Sequence, residues 1–362
     1  MAPTAALPDG LSSLTTKALA RLQASLDDSN PYEGHEMLKT SYYRARSKSK
    51  FADSYDMCAY GALLHFSQGD YQCGLELGSM LLDGYKTDGV SFDTESCGRV
   101  MAVVNSYIKL REKDVERGRT NQSNPKKAEA SSDSVSTTDT LVAGMQQIKH
   151  RTMVWLKDAS ARVAETASGS ENAAKEATEA INAIDTFRNR MYFISGTYTS
   201  ALTNWKGLGM ALPDLIRSQN EDAVWNTLKV SLDHMRANKA YFNDCDLLVA
   251  RTMLHILECL PLEYIKEAFF MAKGIFGRYL GVCQEPMKEA STSQCAYLLV
   301  IGMVRRNEKL SKVAIKTLEE SEGGVRDASL VDLCKGTLMS KYVPTMRGGG
   351  DMLSGLLGGL LR

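Results

Sequence analysis

The sequence of 362 residues lacks the short signatures that mark most catalytic and metal-dependent proteins. Its eight cysteines, Cys58, Cys73, Cys97, Cys245, Cys259, Cys283, Cys295 and Cys334, form no C-x-x-C pair. Scattered among apolar residues and without a secretory signal, they read as reduced core thiols and not as a disulfide framework. The five histidines, His35, His65, His150, His234 and His255, supply no H-E-x-x-H and no pair at metalloenzyme spacing. No G-x-x-x-x-G-K-[ST] occurs, so no P-loop is expected. Gly207-Leu208-Gly209 lacks the third glycine and the preceding strand of a dinucleotide site, and reads as a helix C-cap and turn. Cys245 and His255 come nearest to a nucleophile and base, and read as core or surface residues. Glu319-Glu320 sits in polar context, the mark of a solvated face. No catalytic residue, metal or cofactor is expected.

Net charge is lacking too. Lys and Arg total 43, and so do Asp and Glu. No general attraction to nucleic acid or acidic lipid follows, so any electrostatic partner site must be local. Long apolar runs are absent: the longest, Ala296 to Val304, has nine residues, against ~20 for a membrane-spanning helix. Met1–Gly10 has no apolar stretch of signal-peptide length. A cytosolic chain is expected. There is no sustained period-two alternation and no Asn-Gly or Asp-Gly hairpin between β-branched runs. A short β-hairpin between Gly281 and Ser293 is the one strand element left open.

What is present is helical periodicity, and 44% of residues are hydrophobic, enough for a core. Leu19, Leu22 and Leu26 fall at i, i+3, i+7, one face of a helix. Asp27 to Pro31 breaks it, and Pro31 suits the first turn of the next helix. There Leu38, Tyr42 and Ala45 repeat the spacing. The basic Ser47–Lys50 stretch reads as a turn. Ala52, Tyr55, Ala59, Ala62 and Phe66 mark a third stripe, in which Ala59, Gly61 and Ala62 are small enough for close helix approach. Gly69-Asp70 ends it, and a fourth helix runs from about Gln72 to Tyr85. Helix, short turn, helix is the grammar of an all-α solenoid of paired antiparallel helices with degenerate tetratricopeptide-like repeats.

Composition divides the chain into helical repeats over 11–112, a flexible low-complexity loop over 113–140, further helical repeats over 141–345 and a Gly/Leu-rich tail over 346–362. Residues 159–186 are rich in Ala, Glu, Ser and Asn and read as an exposed helix or a partly ordered insertion. In the tail, Met352, Leu353, Leu356, Leu357, Leu360 and Leu361 share one side of a helix that Gly355, Gly358 and Gly359 weaken. It could pack on its own repeats, dock with a partner or lie on a membrane surface; only Arg362 adds positive charge for the last. Lys17 and Arg21, at i, i+4 opposite the leucine stripe, should be exposed together. Tyr297-Leu298-Leu299-Val300-Ile301 is hydrophobic all round and reads as a buried helix, with partner contact as the alternative.

The run comprising Tyr32-Glu33-Gly34-His35, Tyr42-Tyr43-Arg44, Ser47-Lys48-Ser49-Lys50, Gly61-Ala62-Leu63-Leu64-His65-Phe66 and Gly69-Asp70 resembles the N-terminal repeats of the Golgi-to-ER traffic protein four family. That family is the cytosolic scaffold of the guided-entry pathway for tail-anchored membrane proteins. Asp244–Leu260 resembles a later helix of the family. Gly350-Asp351-Met352-Leu353-Ser354-Gly355-Leu356-Leu357 resembles the C-terminus of animal members. From about 113 to 240 the likeness is in helical character only.

The resemblance implies a non-catalytic adaptor whose N-terminal repeats bind a dimeric targeting ATPase. It implies that the C-terminal part binds a ubiquitin-like protein, which recruits a tetratricopeptide co-chaperone carrying the client, joined in animals by a BAG-domain scaffold. It puts the ATPase contact on Lys17, Arg21 and Glu76, with the lysine at 17 keeping charge but not bidentate geometry. It puts an apolar ubiquitin-like-partner surface within about 280–342, for which Tyr297, Leu298 and Ile301 are the candidates. No nucleic acid and no direct membrane insertion are implied. The alternative is a helical-repeat subunit of another assembly, such as a proteasome-lid-like complex. That would carry a C-terminal winged-helix domain, and the last residues show no β-hairpin signal for one.

Overall fold

The computed structural model describes residues 10–122, 133–167, 171–203, 207–238, 241, 244–282 and 291–343, with the side chains of all of these but 111–122 and 133–137. Among the described residues there is no strand, and the chain is all-α, the solenoid of paired helices that its periodicity predicts. It divides into two compact units that part between Tyr198 and Thr199.

The first unit opens with α1 (Ser13–Asp27), α2 (Pro31–Ser47), α3 (Phe51–Gln68) and α4 (Tyr71–Thr87). Ser12 caps α1 by accepting from the Thr15 amide, and Pro31 opens α2, where its missing N–H costs nothing. The stripes are buried as expected: Leu19, Leu22 and Leu26 on α1, Leu38, Tyr42 and Ala45 on α2, and Tyr55, Ala59, Ala62 and Phe66 on α3. Ala52 is the exception; in the first turn of α3 it faces solvent. Helix α3 is the centre, packed against α1, α2, α4 and the next helix, α5 (Thr94–Gln122). Gly61 makes this possible, because a Cβ there would stand 2.4 Å from Leu38 Cδ2 and 3.0 Å from Leu77 Cδ1. At the C-terminus of α3 the chain turns through Gly69 at φ +88°, a left-handed conformation that a side chain would disfavour.

Helices α6 (Asp133–Thr166) and α7 (Glu171–Thr203) complete the unit, the last residues of α7 falling in the second. Helix thus covers both flanks of the stretch read as a 113–140 loop, and residues 123–132 lie outside the described residues. The first flank carries Lys113, Glu116, Arg117 and Arg119, residue types that favour helix without needing an apolar face. Nor do the compact units part there. Tyr107 Oη donates to the Leu141 carbonyl at 2.8 Å, Gln147 Nε2 donates to Ser79 Oγ at 2.9 Å, and α6 packs on α4. The 159–186 stretch is helical on both sides of residues 168–170, which are outside the described set.

A polar knot at the surface ties α2, α3 and the end of α4. Arg46 donates to both carboxylate oxygens of Asp88 at 2.7 Å, and Tyr55 Oη donates to Asp88 Oδ2 at 2.5 Å. The Arg46 hydrogen bond holds the Asp88 carboxyl below its ordinary value. A carboxyl whose folded value is depressed stabilises the fold above its unfolded value, about 4, and loses that contribution as pH falls through the folded one. In urea titrations from pH 7 to pH 2, the stability difference between wild type and Asp88→Asn is expected to stay constant down to about pH 5 and then shrink. A difference that does not change with pH would show that the knot is not electrostatic.

The second unit contains α8 (Leu208–Arg217), α9 (Glu221–Ala237), α10 (Cys245–Cys259), α11 (Ile265–Val282), α12 (Thr292–Val304) and α13 (Glu308–Glu320). Three short helices follow, α14 (Glu322–Arg326), α15 (Ala328–Leu333) and, after a π turn at Cys334–Leu338, α16 (Met339–Tyr342). Helix α10 is its axis, with Val249, Ala250, Met253, Leu254, Ile256 and Leu257 buried. Its C-terminus is capped by a side chain from α16: Lys341 Nζ donates to the carbonyls of Leu257, Glu258 and Leu260 at 2.7, 2.9 and 2.6 Å. Gly207 turns out to precede a helix as the N-cap of α8, where a C-cap was expected. The hairpin considered between Gly281 and Ser293 has its two ends inside α11 and α12, and its centre, 283–290, lies outside the described residues. The 346–362 tail lies outside them as well.

Candidate functional site

The α3–α4 turn positions an unusual polar cluster in the first unit. Asp70, the N-cap of α4, uses both carboxylate oxygens: Oδ1 accepts from the Cys73 amide at 3.2 Å, and Oδ2 accepts from His65 Nδ1 at 3.0 Å. Opposite, His35 continues the buried α2 stripe one step before Leu38, and its Nε2 donates to Glu76 Oε2 at 3.0 Å. The two imidazoles meet edge to face, ring centroids 5.2 Å apart. His35 is 1% and His65 0% exposed, and Cys73 is half-buried. Each histidine spends one nitrogen on a carboxylate. The others, His35 Nδ1 and His65 Nε2, are buried without a hydrogen-bond partner among the described residues. Such orphans cost about 1–3 kcal/mol apiece. One ring nitrogen of each histidine and Cys73 Sγ lie within 4.8 Å of one another.

The electrostatics follow from burial. Desolvation outweighs Asp70 and keeps His65 below its ordinary value, so its ring is neutral near pH 7. Burial pushes Asp70 up, but the Cys73 thiol, the Cys73 amide and His65 outweigh it and leave the carboxyl below its usual range. Burial first, then the hydrogen bond to Asp70, raises the Cys73 thiol to about 12. Sequence spacing missed this set, because its members stand 30 and 8 residues apart and on different helices. The signal that could have found it is one histidine on the buried stripe of each of two successive helices.

Lys17 and Arg21 are both exposed on α1, as their wheel position predicts, and neither makes an ion pair among the described residues. Glu76 is half exposed on α4 and already engaged: Lys39 Nζ lies 2.8 Å from its Oε1 while His35 holds its Oε2. Lys39, and after it His35, keep its carboxyl below the ordinary value against the opposing pull of burial. In the second unit, Tyr297 stacks on Phe276 at 4.7 Å, Ile301 is half-buried, and Leu298 is 46% exposed. The expectation of a helix buried all round is therefore corrected. α12 buries Cys295, Ala296, Leu299, Val300 and Met303 and presents Leu298 outward, because its neighbours cover one face only. Cys245 and His255 lie at opposite ends of α10, ten residues or about 15 Å apart. His255 is bonded to Glu258 at 2.7 Å, so the two form no dyad.

No family model matches the chain. Among curated relatives it is 33% identical over 63 residues to the Golgi to ER traffic protein 4 homologs of Bos taurus and Homo sapiens, 17% of this chain and 19% of each relative. The matched stretch thus spans about a fifth of the length of those relatives. The likeness is to Golgi to ER traffic protein 4. The Xenopus tropicalis homolog is 29% identical over 75 residues, 21% of this chain and 23% of the relative. A solved structure titled "Crystal structure of C. therm. Get4" superposes with a TM-score of 0.54 at 11% identity, covering 96% of each chain. At that identity it is the fold that is shared.

Proposed function

We propose that the chain is a non-catalytic cytosolic scaffold in the post-translational delivery of tail-anchored membrane proteins to the ER. In this reading its N-terminal unit binds a dimeric targeting ATPase through Lys17, Arg21 and Glu76. Its C-terminal unit binds a ubiquitin-like protein, and through it a client-loaded tetratricopeptide co-chaperone, on a surface that includes Leu298. The observation that carries the reading is an agreement: a short sequence match and a fold match over nearly the whole chain lead to the same family name. The exposed cations on α1, which make no ion pair among the described residues, support the first contact, and the outward Leu298 beside the Phe276–Tyr297 stack supports the second.

The mechanism is proximity with no chemical step. Holding the co-chaperone and the ATPase on one frame raises their effective concentration for hand-off. Preference for one ATPase conformation would bias its nucleotide cycle by the difference in affinity. Among the described residues no helix is long and apolar enough to cross a membrane. The test is capture of partners by the purified chain from cytosol of its own source, with and without nucleotide, read by mass spectrometry. Recovery of a targeting ATPase together with a ubiquitin-like protein is expected. Recovery of neither by a folded, helical sample would overturn the proposal.

A further inference from the structure

We infer that His35 Nδ1, His65 Nε2 and Cys73 Sγ form a binding site for a divalent transition metal of the zinc class. The inference is independent of the scaffold reading. Three observations carry it. The residues converge: a ring nitrogen of each histidine and Cys73 Sγ lie within 4.8 Å of one another, and the donors of a tetrahedral zinc ion stand roughly 3.3–3.6 Å apart, given Zn–N of ~2.0–2.1 Å and Zn–S of ~2.3 Å. His35 Nδ1 and His65 Nε2 are buried and without a hydrogen-bond partner among the described residues, so an ion held by them would supply the partner each lacks.

The outer shell is the third observation. A histidine that ligates metal through one nitrogen usually donates the other N–H to a carboxylate, which fixes tautomer and ring orientation. Both histidines already do this, His35 to Glu76 and His65 to Asp70. The free nitrogens therefore present lone pairs. Two imidazoles and a thiolate suit zinc, cobalt and their neighbours and not magnesium or calcium, which prefer oxygen. Of the three ligands only Cys73 reaches the surface, so solvent entry and a fourth, water ligand would come from its side. On binding, the thiol proton leaves to solvent and a sulfur–metal bond forms. The ion would join α2, α3 and the start of α4, and through His35 would hold Glu76 in place.

The experiment uses the untagged full-length chain, reduced and stripped of metal, titrated with cobalt(II) as a spectroscopic probe. The expected result is one equivalent bound, with visible bands of a four-coordinate ion and a near-ultraviolet thiolate-to-cobalt band, both abolished by zinc. Cys73→Ser, at a half-exposed position that tolerates it, should remove the thiolate band and weaken zinc binding at least about tenfold. His65→Gln should weaken zinc similarly, and Cys97→Ser should change nothing. Zinc should raise the melting temperature of wild type and of Cys97→Ser but not of Cys73→Ser. Absence of a cobalt–thiolate band in wild type, or its survival in a Cys73→Ser variant of native helicity, would overturn the site.

Discussion

Trp155→Ala is expected to remove about 3–5 kcal/mol from the stability of the first unit, the range for deleting a large buried aromatic. Trp155 on α6 is fully buried. Its ring lies 5.2 Å from Tyr85 on α4 and 6.1 Å from Phe92, and Phe92 in turn meets Phe187 of α7 edge to face at 5.6 Å. The side chain thus joins the N-terminal layers to the long helices. Alanine would leave a void that three rigid rings cannot collapse into. Against a typical total of about 5–15 kcal/mol, the loss is a large share. For a unit of this size it should lower the melting temperature by roughly 6–20 °C. Trp155→Phe separates the ring from the indole N–H, which donates to the Val90 carbonyl at 3.0 Å. Arg162 Nη2 also donates to that carbonyl, at 2.9 Å, so the acceptor is not orphaned and the cost should be near 1 kcal/mol. Thermal or urea unfolding of the three proteins checks both numbers. An alanine variant within 1 kcal/mol of wild type would mean that Trp155 is not the link between the layers.

Lys17→Glu combined with Arg21→Glu is expected to leave folding unchanged and to reduce affinity for the proposed targeting ATPase by on the order of a hundredfold or more. Both residues are exposed, and neither has an ion-pair partner among the described residues, so their sign should matter little to the fold. Across an interface, like charges placed face to face cost several kcal/mol, and each 1.4 kcal/mol is about tenfold. Most of the loss should appear in the association rate and fade at high salt. Lys17→Ala alone should cost far less. Titration of the double variant against the ATPase, with helicity as the folding control, decides the matter; unchanged binding would move the contact off this face of α1. Glu76 is less clean as a test, since its charge already answers Lys39 and His35.

Much of the fold was legible because helical burial is periodic. The leucine, tyrosine and alanine stripes of α1, α2 and α3 recur every three to four residues, and Gly69-Asp70 marks a stop that local backbone energetics impose. The exposure of Lys17 and Arg21 follows from the same wheel. Other features needed contacts between distant segments. The polar stretch around 113–140 looked like a boundary, yet helix covers both its flanks, and Tyr107 and Gln147 bind across it. Tyr297–Ile301 looked buried on every side, and only the placement of its neighbours left Leu298 outward. His35, His65 and Cys73 share no motif. The sequence by itself determined the helices, their inward faces and their turns, since these depend on residues within a few positions of one another. Tertiary structure alone decided which inward-facing polar groups meet, because that depends on how α2, α3 and α4 stack, and a local pattern of small residues permits close approach without encoding which side chains it brings together.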